Sequence, residues 1–495
     1  MDNLIQVLSY ITPAFVFYTF VGSLVGLLVG AVPGLSVTMA TALLVSITFS
    51  WPVNLAIGTM LGLFVSGVYA GAVSAILINI PGAPSSVATT LDGFPMAQRG
   101  EAAFALWTAT VHSFIGSVVG FVVLAFVAEP VTQIALKFSP MDYFLLALFG
   151  LSTVGSLTAK SFTKGCISAS FGLLLSLVGT DPVSGINRFT FGTLNLQAGI
   201  GIIPVLIGLF GFSEVLDQIA AGNLKALAST IGKVKRDFIG QMKYLGLSIR
   251  AAIIGVIVGA LPGAGGPIAA LIAYDHAKKT VKNPERPFGT GTPEGIVASE
   301  SANNACIGGA LIPMLTLAIP GDAVTAVILA GFYVHGLRPG PMLFIDSPDL
   351  FRVVLAGGIV ACAMMLFLGA TIVPLMSRIV LVPKKVLLPM VSVICVIGTY
   401  AVNTSLFDVW LMFFFGLIGY LMKRRSYPVA PAVLGLVLGS MMDASLRRAI
   451  NLALSSDHFM RALFLKPITL VLLVFVVFSL LMNVPAIKKK MSFMR

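Results

Sequence analysis

The sequence predicts an all-α polytopic membrane protein: two inverted-topology repeats with Pro-Gly-broken helices, followed by a C-terminal helical bundle. Three observations predict it. Apolar residues make up 57% of the 495 and charged ones only 10%, with a positive mean hydropathy. Soluble domains of ordinary size cannot bury that much apolar surface. Many stretches are long and uncharged enough to span a bilayer, and two Pro-Gly breaks recur in the same order in both halves of the chain.

A spanning helix needs about 20 apolar residues. Val53 to Ile80, Ala103 to Val127, Met141 to Leu157, Val353 to Val373 and Ile468 to Met482 qualify. The whole chain reads as roughly ten to twelve spans. The start lacks a basic n-region and a small-residue cleavage site, so the first apolar segment is expected to remain as a helix.

The formal net charge of +12 comes from Lys and Arg gathered in short loops, as the positive-inside rule expects, rather than from a nucleic-acid surface. They cluster at Lys225 to Arg250, at Lys278 to Arg286, at Lys423-Arg424-Arg425 and at Lys488-Lys489-Lys490. These segments are expected in the cytoplasm. The first Lys or Arg of the chain is Arg99, so the amino terminus is expected outside, in the periplasm, with the carboxyl terminus inside and an odd number of spans between them. Cys166, Cys306, Cys362 and Cys395 are isolated in apolar contexts and read as buried thiols.

The repeat is legible residue by residue. GLLVGAVPG (26–34) matches GVIVGALPG (255–263), with Pro33 and Pro262 separated by 229 residues, and INIPG (78–82) matches LAIPG (317–321), with Pro81 and Pro320 separated by 239. A flank free of Lys and Arg precedes the first copy, whereas a basic linker with Lys233, Lys235, Arg236, Lys243 and Arg250 precedes the second. The copies are therefore expected to insert in opposite directions, the plan of many secondary transporters. The expected organisation is a first transport repeat over 14–220, a basic cytoplasmic linker over 221–249, a second repeat over 250–345, additional transmembrane helices over 350–484 and a basic cytoplasmic tail over 485–495.

Backbone amides in hydrocarbon must be hydrogen-bonded, so a break at depth has to line a polar cavity or be buried in protein. Proline removes a donor and glycine removes the steric barrier to unusual dihedrals. Each pair (Pro33-Gly34, Pro81-Gly82, Pro262-Gly263 with Gly265, Pro320-Gly321) should expose helix ends, with N–H groups for an anion and carbonyls for a cation such as sodium. Ser85, Ser86, Thr89 and Thr90 then offer hydroxyls on one wall of a central site, and Glu300, Ser301, Asn303 and Asn304 line the symmetric wall.

Blander readings stand beside these. Ser299 or Ser301 could cap a helix, with Asn303 or Asn304 on a helix interface. Asp92 is an ion ligand or a turn-forming loop aspartate, and Asp322 caps the following half helix or takes part in coupling. GSLVG, GVYAG, GSVVG and GLVLG read as close-packing helix faces. GTGTPEG (289–295) reads as a flexible loop, since no strand-helix unit surrounds it.

The Pro-Gly pairs, with DGFPMAQRGEAAFAL (92–106), PGAGGPIAA (262–270), PEGIVASESANNA (293–305) and RPGPMLF (338–344), resemble the large permease subunit (TctA family) of the tripartite tricarboxylate transporters, from about residue 15 to about residue 480. The resemblance implies a secondary transporter of the bacterial cytoplasmic membrane. It would work with a small transmembrane subunit and a periplasmic solute-binding protein, and import citrate-like tricarboxylates or other carboxylates on an ion gradient. No cofactor is implied beyond sodium or protons as coupling ion, and the absence of a P-loop agrees with that. Few acids lie in the spans, which favours sodium over a proton relay. Two rival readings remain: a membrane-embedded enzyme, against which His112, His276, His335 and His458 are scattered, and a passive carboxylate channel.

Overall fold

The computed structural model describes residues 2–157, 161–181, 184–221, 236–379, 384–456 and 458–482. The expected tail at 485–495 and residues 222–235 of the linker, with Lys233 and Lys235, lie outside the described residues. Helices dominate, and the strand content among the described residues is one antiparallel pairing of Gly179–Thr180 with Asn187–Arg188. Seventeen helices suffice to describe the architecture. The first five are α1 (Pro13–Ala31), α2 (Val37–Thr48), α3 (Val53–Ile78), α4 (Val87–Gln98) and α5 (Ala102–Ala135). Then come α6 (Pro140–Leu157), α7 (Phe162–Ser176) and α8 (Ile202–Ala220). The second half begins with α9 (Phe238–Gly259), α10 (Gly265–Thr280), α11 (Pro293–Leu317), α12 (Ala323–Val334) and α13 (Pro348–Ile379). It ends with α14 (Lys384–Asn403), α15 (Leu406–Arg424), α16 (Val429–Leu454) and α17 (Pro467–Met482).

The chain is a multi-pass membrane protein in which eight of the described helices (α1, α3, α5, α8, α9, α13, α15 and α16) are long and apolar enough to cross a bilayer. That is fewer than the ten to twelve spans read from the sequence. Met141 to Leu157 and Ile468 to Met482, both read as spans, are not among the eight, since the apolar stretches of α6 and α17 run only over Pro140–Ser152 and Pro467–Ser479 among the described residues. At 12 residues each, or about 18 Å, α2, α4 and α12 are too short. α11 has the length, but its polar residues are too many, and nearly the whole helix is buried inside protein instead. The outer surface is apolar where lipid would lie: on α15, Trp410, Phe414, Leu417 and Leu421 form one exposed stripe.

The breaks fall where the Pro-Gly pairs stand. α1 starts at Pro13 under a Thr12 cap whose side chain accepts from the Phe15 N–H, and it stops before Pro33. α3 ends at Asn79 and α11 at Ala318, both in the left-handed region at φ 55° and 57°. Asn79 adopts this conformation readily, being an asparagine, whereas Ala318 is a strained helix end held by its surroundings. They are separated by 239 residues, the spacing of Pro81 and Pro320.

Glycine-to-backbone contacts fix the packing directions. α1 runs alongside α3 in the same sense, Gly22 against Thr59 and Gly26 against Leu63, and α9 runs alongside α11, Gly255 against Ala302 and Gly259 against Cys306. α5 lies on α11 in the same sense, Gly116 against Ser301 and Gly120 against Ala305, while α13 follows α3, Gly357 near Leu61 and Gly369 near Tyr69. α5 and α13 cross in opposite senses, with Gly358 on Phe121 and Gly369 on Thr110. α3 and α11 thus run in opposite directions. α5 and α13 are each packed on the long helix of the other half.

Within each half the two breaks meet. A Cβ on Gly82 would fall 2.2 Å from the Gly30 carbonyl oxygen, and one on Gly321 would fall 2.6 Å from that of Gly259. The Gly263 N–H also donates to the Gly321 carbonyl at 2.7 Å. Gly321→Ala is therefore expected to destabilise the protein by about 1–3 kcal/mol through overpacking. Gly246→Ala, at a helical position with nothing within 4 Å, should be neutral or slightly stabilising. Thermal unfolding of the two purified variants checks the pair, and equal melting temperatures would contradict the assignment.

Candidate functional site

All four breaks deliver a helix start to one cavity of about 420 Å³. Ser36 to Thr38 at the start of α2, Ala83 to Ser85 before α4, Gly263 to Ile268 around the start of α10, and Asp322 to Val324 at the start of α12 line it. The side walls come from Phe64 and Val68 of α3, from Asn303, Cys306 and Ile307 of α11, and from Ala430 and Leu434 of α16. A helix start leaves N–H groups without intrahelical partners and carries the positive end of the helix dipole. Four of them aimed at one space favour an anion, and no Lys or Arg is among the described lining residues.

The local chemistry explains each start. Ser36 caps α2 by accepting from the Met39 N–H at 3.0 Å. Asp322 caps α12 by accepting from the Thr325 N–H at 2.7 Å, and the Thr325 hydroxyl closes a reciprocal capping box. The Asp322 carboxylate is thus spent on its own helix. Asn303 is different: it is 1% exposed, and neither its Oδ1 nor its Nδ2 has a partner among the described residues. A buried carboxamide with both ends free is costly unless something fills the cavity beside it.

The other residues expected at the site divide between this cavity and its supports. Gly263, Gly265, Ser85, Asn303 and Asp322 line it. Pro33, Gly34, Pro81, Gly82, Pro262, Pro320 and Gly321 shape the turns behind the lining. Ser86 is buried next to Gly71, and Thr90 donates to the Val87 carbonyl of its own helix. Ser301 pairs with Ser248 at 2.6 Å across the α9–α11 interface, a packing role rather than the site contact or the helix cap expected of it. Thr89, Glu300 and Asn304 form a second, wholly buried polar cluster with Ser113 of α5. Cys306, Cys362 and Cys395 are buried, and Cys166 is partly exposed.

Asp92 is neither free nor in the cavity. Its Oδ1 accepts from the N–H groups of Gly289 (2.9 Å), Gly291 (2.7 Å) and Thr292 (2.9 Å), and its Oδ2 accepts from the Tyr274 hydroxyl at 2.8 Å. The segment GTGTPEG is the cradle for this carboxylate, with Gly289 and Gly291 at φ 87° and 99°. Beside it Arg286 grips Glu101 with two bonds of 2.7 Å, and Arg99 donates to the Gly291 carbonyl at 2.7 Å. The Arg286 fork holds the Glu101 carboxyl below the usual carboxylate range. Partial burial pushes Glu285 upward, but hydrogen bonds from Lys243 and Tyr244 outweigh it and leave that group lowered too. This clasp joins α4 and the α4–α5 turn of one half to the α10–α11 loop of the other.

Sequence reasoning missed Ser36, Thr38, Gly266, Ser113 and the α16 residues. Ser36 had a signal, since it follows Pro33-Gly34 as Gly265 follows Pro262-Gly263. Ala430 and Leu434 had none.

Compared with known proteins, the chain matches the tripartite tricarboxylate transporter TctA family over residues 16–434. It is 36% identical over 444 residues to an uncharacterized 52.8 kDa protein in the TAR-I ttuC' 3' region of Agrobacterium vitis, covering 89% of this chain and 88% of the relative. It is 35% identical over 196 residues to an uncharacterized protein in the TAR-II ttuC' 3' region of the same organism, covering 40% of this chain and 81% of that relative. No solved structure matches.

Two outcomes test the clasp. Asp92→Asn should weaken three amide bonds to the 289–292 loop by about 1–3 kcal/mol in all, read as faster hydrogen exchange at Gly289, Gly291 and Thr292. Glu101 has a folded pKa below its unfolded one, so its contribution is present above the ordinary carboxylate pKa and lost as pH falls through the lowered value. Exchange protection of residues 286–292, corrected for intrinsic rates, should hold across neutral pH and fall only in acid.

Proposed function

The chain belongs to the tripartite tricarboxylate transporter TctA family, and from that premise we propose that it is the large transmembrane subunit of a binding-protein-dependent secondary transporter importing a small carboxylate. Its partners are a small transmembrane subunit and a periplasmic solute-binding protein. Its location is the bacterial cytoplasmic membrane, with the amino terminus periplasmic and the basic segments inside. An ion gradient drives it.

One observation carries the substrate class: four helix starts and the unpartnered Asn303 converge on a cavity without a Lys or Arg lining it among the described residues. A carboxylate oxygen accepts hydrogen bonds and carries negative charge, so it suits free N–H groups and the Asn303 Nδ2. Phe64, Val68, Ile307 and Leu434 cover the carbon skeleton. Because helix dipoles supply only part of the compensating charge, a multivalent carboxylate needs co-bound cations as well, which is the physical basis of symport here.

The opposed directions of α3 and α11, with the paired breaks at their ends, support the reading of α1–α5 and α9–α13 as inverted-topology transport repeats. Such a pair has two related arrangements of nearly equal energy, each opening the shared cavity to one side. The clasp around Asp92, Glu101 and Arg286 joins the halves at the end that carries Lys243 and Arg250, the cytoplasmic end by the positive-inside rule. It would hold the cavity shut towards the cytoplasm and release for delivery.

The test is uptake of labelled di- and tricarboxylates into vesicles carrying the chain with its candidate small subunit and binding protein, under an imposed sodium or proton gradient. Accumulation that requires both the gradient and the binding protein is expected. Equilibration without either would make the protein a channel. Asn303→Ala should weaken carboxylate binding to the purified chain by roughly tenfold to a hundredfold, the loss of one or two buried hydrogen bonds.

A further inference from the structure

A second polar cluster on α11, one turn from Asn303, has the composition of an ion site. Glu300 is fully buried. Its Oε1 accepts from the Thr89 hydroxyl of α4, and its Oε2 accepts from the Ser113 hydroxyl of α5 at 3.1 Å and from the Asn304 Nδ2 at 3.4 Å. The Ser299 hydroxyl lies 3.2 Å from that of Thr89. Every donor is neutral, and no Lys or Arg reaches the carboxylate among the described residues. A buried carboxylate served only by neutral donors is solvated as an anion but lacks a counter-charge, an expensive arrangement unless a cation completes it.

A second observation points the same way. Asn304 uses its Nδ2 three times, on Ser113 at 2.8 Å, on its own helix and on Glu300, while its buried Oδ1 has no partner among the described residues. A half turn of the carboxamide exchanges the two ends and brings Oδ1 against Ser113, the Glu300 carboxylate and the Glu300 carbonyl oxygen, an arrangement that only a cation among these oxygens would reconcile. The cluster then presents two carboxylate oxygens, an amide oxygen and the Thr89 and Ser113 hydroxyl oxygens within one buried group.

We propose that Glu300, Thr89, Ser113 and Asn304 form a sodium site between α4, α5 and α11. Hard oxygen ligands suit an alkali or alkaline-earth cation rather than a transition metal. One carboxylate charge balances one positive charge, and a divalent ion would leave the buried site positive. Oxygens this closely spaced suit a small ion. Glu300 and Asn303 are neighbours on one helix face, and Thr89 belongs to the half helix whose approach, at Ser85, lines the cavity. Sodium therefore fastens α4 to α11 and fixes the Ser85–Asn303 wall. Its role as coupling ion rests on the transport reading above, whereas its binding does not.

The experiment uses the purified full chain in nanodiscs without any carboxylate. Melting temperature and equilibrium binding of radioactive sodium are followed against sodium chloride, with choline chloride holding the ionic strength. Saturable stabilisation by sodium is expected, with none from choline and much less from potassium. Glu300→Gln, which keeps the shape and removes the charge, should raise the half-saturating concentration by about tenfold or more. Should that variant fold poorly, Thr89→Val keeps the carboxylate and removes one ligand oxygen, and an intermediate weakening is expected.

No sodium response in the wild type, or an undiminished one in both variants, overturns the site. So does a stability that follows pH with no sodium dependence, which would make Glu300 a proton carrier. Binding of labelled carboxylate is measured separately on parallel aliquots of each preparation. Carboxylate binding without a sodium response sinks the site and leaves the transport reading standing. A sodium response lost in Glu300→Gln, with no carboxylate binding, supports the site and counts against that reading.

Discussion

The contact on which the rest depends is the approach of Gly82 to the Gly30 carbonyl and its counterpart, Gly321 against the Gly259 carbonyl. A side chain at either glycine would separate the two breaks of that half. Because they touch, the starts of α2 and α4 face one space, as do those of α10 and α12, and all four line one cavity. Without that approach four helix starts would be four unsatisfied ends, each a liability in a membrane.

α11 organises the polar interior. From its first turn inward it carries Thr292 against Asp92, then Ser299 and Glu300 against Thr89 and Ser113, then Asn303 in the cavity. Such a helix cannot face lipid, and the close-packed glycines of α5 and α9 bring neighbouring backbones against it on two sides. The price is that every polar group on it needs a partner inside the protein. Asp92 finds several, from backbone and tyrosine. Asn303 and the Oδ1 of Asn304 find none among the described residues, which sets the cavity end of the helix apart from its fully partnered start.

The same contrast shows how much of the site was legible. Glu300, Asn303 and Asn304 stood out as too polar for lipid, and the Pro-Gly pairs as deliberate breaks, because both are local properties of the chain. Asp92 kept two readings open since a carboxylate before a Gly-Phe turn looks alike in either role. Its partners lie almost 200 residues away in a loop that reads as flexible because its glycines are there to wrap an anion. Ser301 looked equivalent to Asn303, yet two residues along a helix turn a side chain about 200° around its axis, and one faces α9 while the other faces the cavity.

By itself the sequence determined the membrane class and the places where helices break, because hydropathy and backbone stiffness act over a few residues at a time. The tertiary structure alone decided which polar groups share a space. That Thr89 meets Glu300, that Ser113 joins them, and that Ala430 and Leu434 of α16 close the cavity follow from the rotation and depth of helices far apart in the chain. Those are fixed by backbone contacts at glycines, whose composition records that two helices touch but not which residues they bring together.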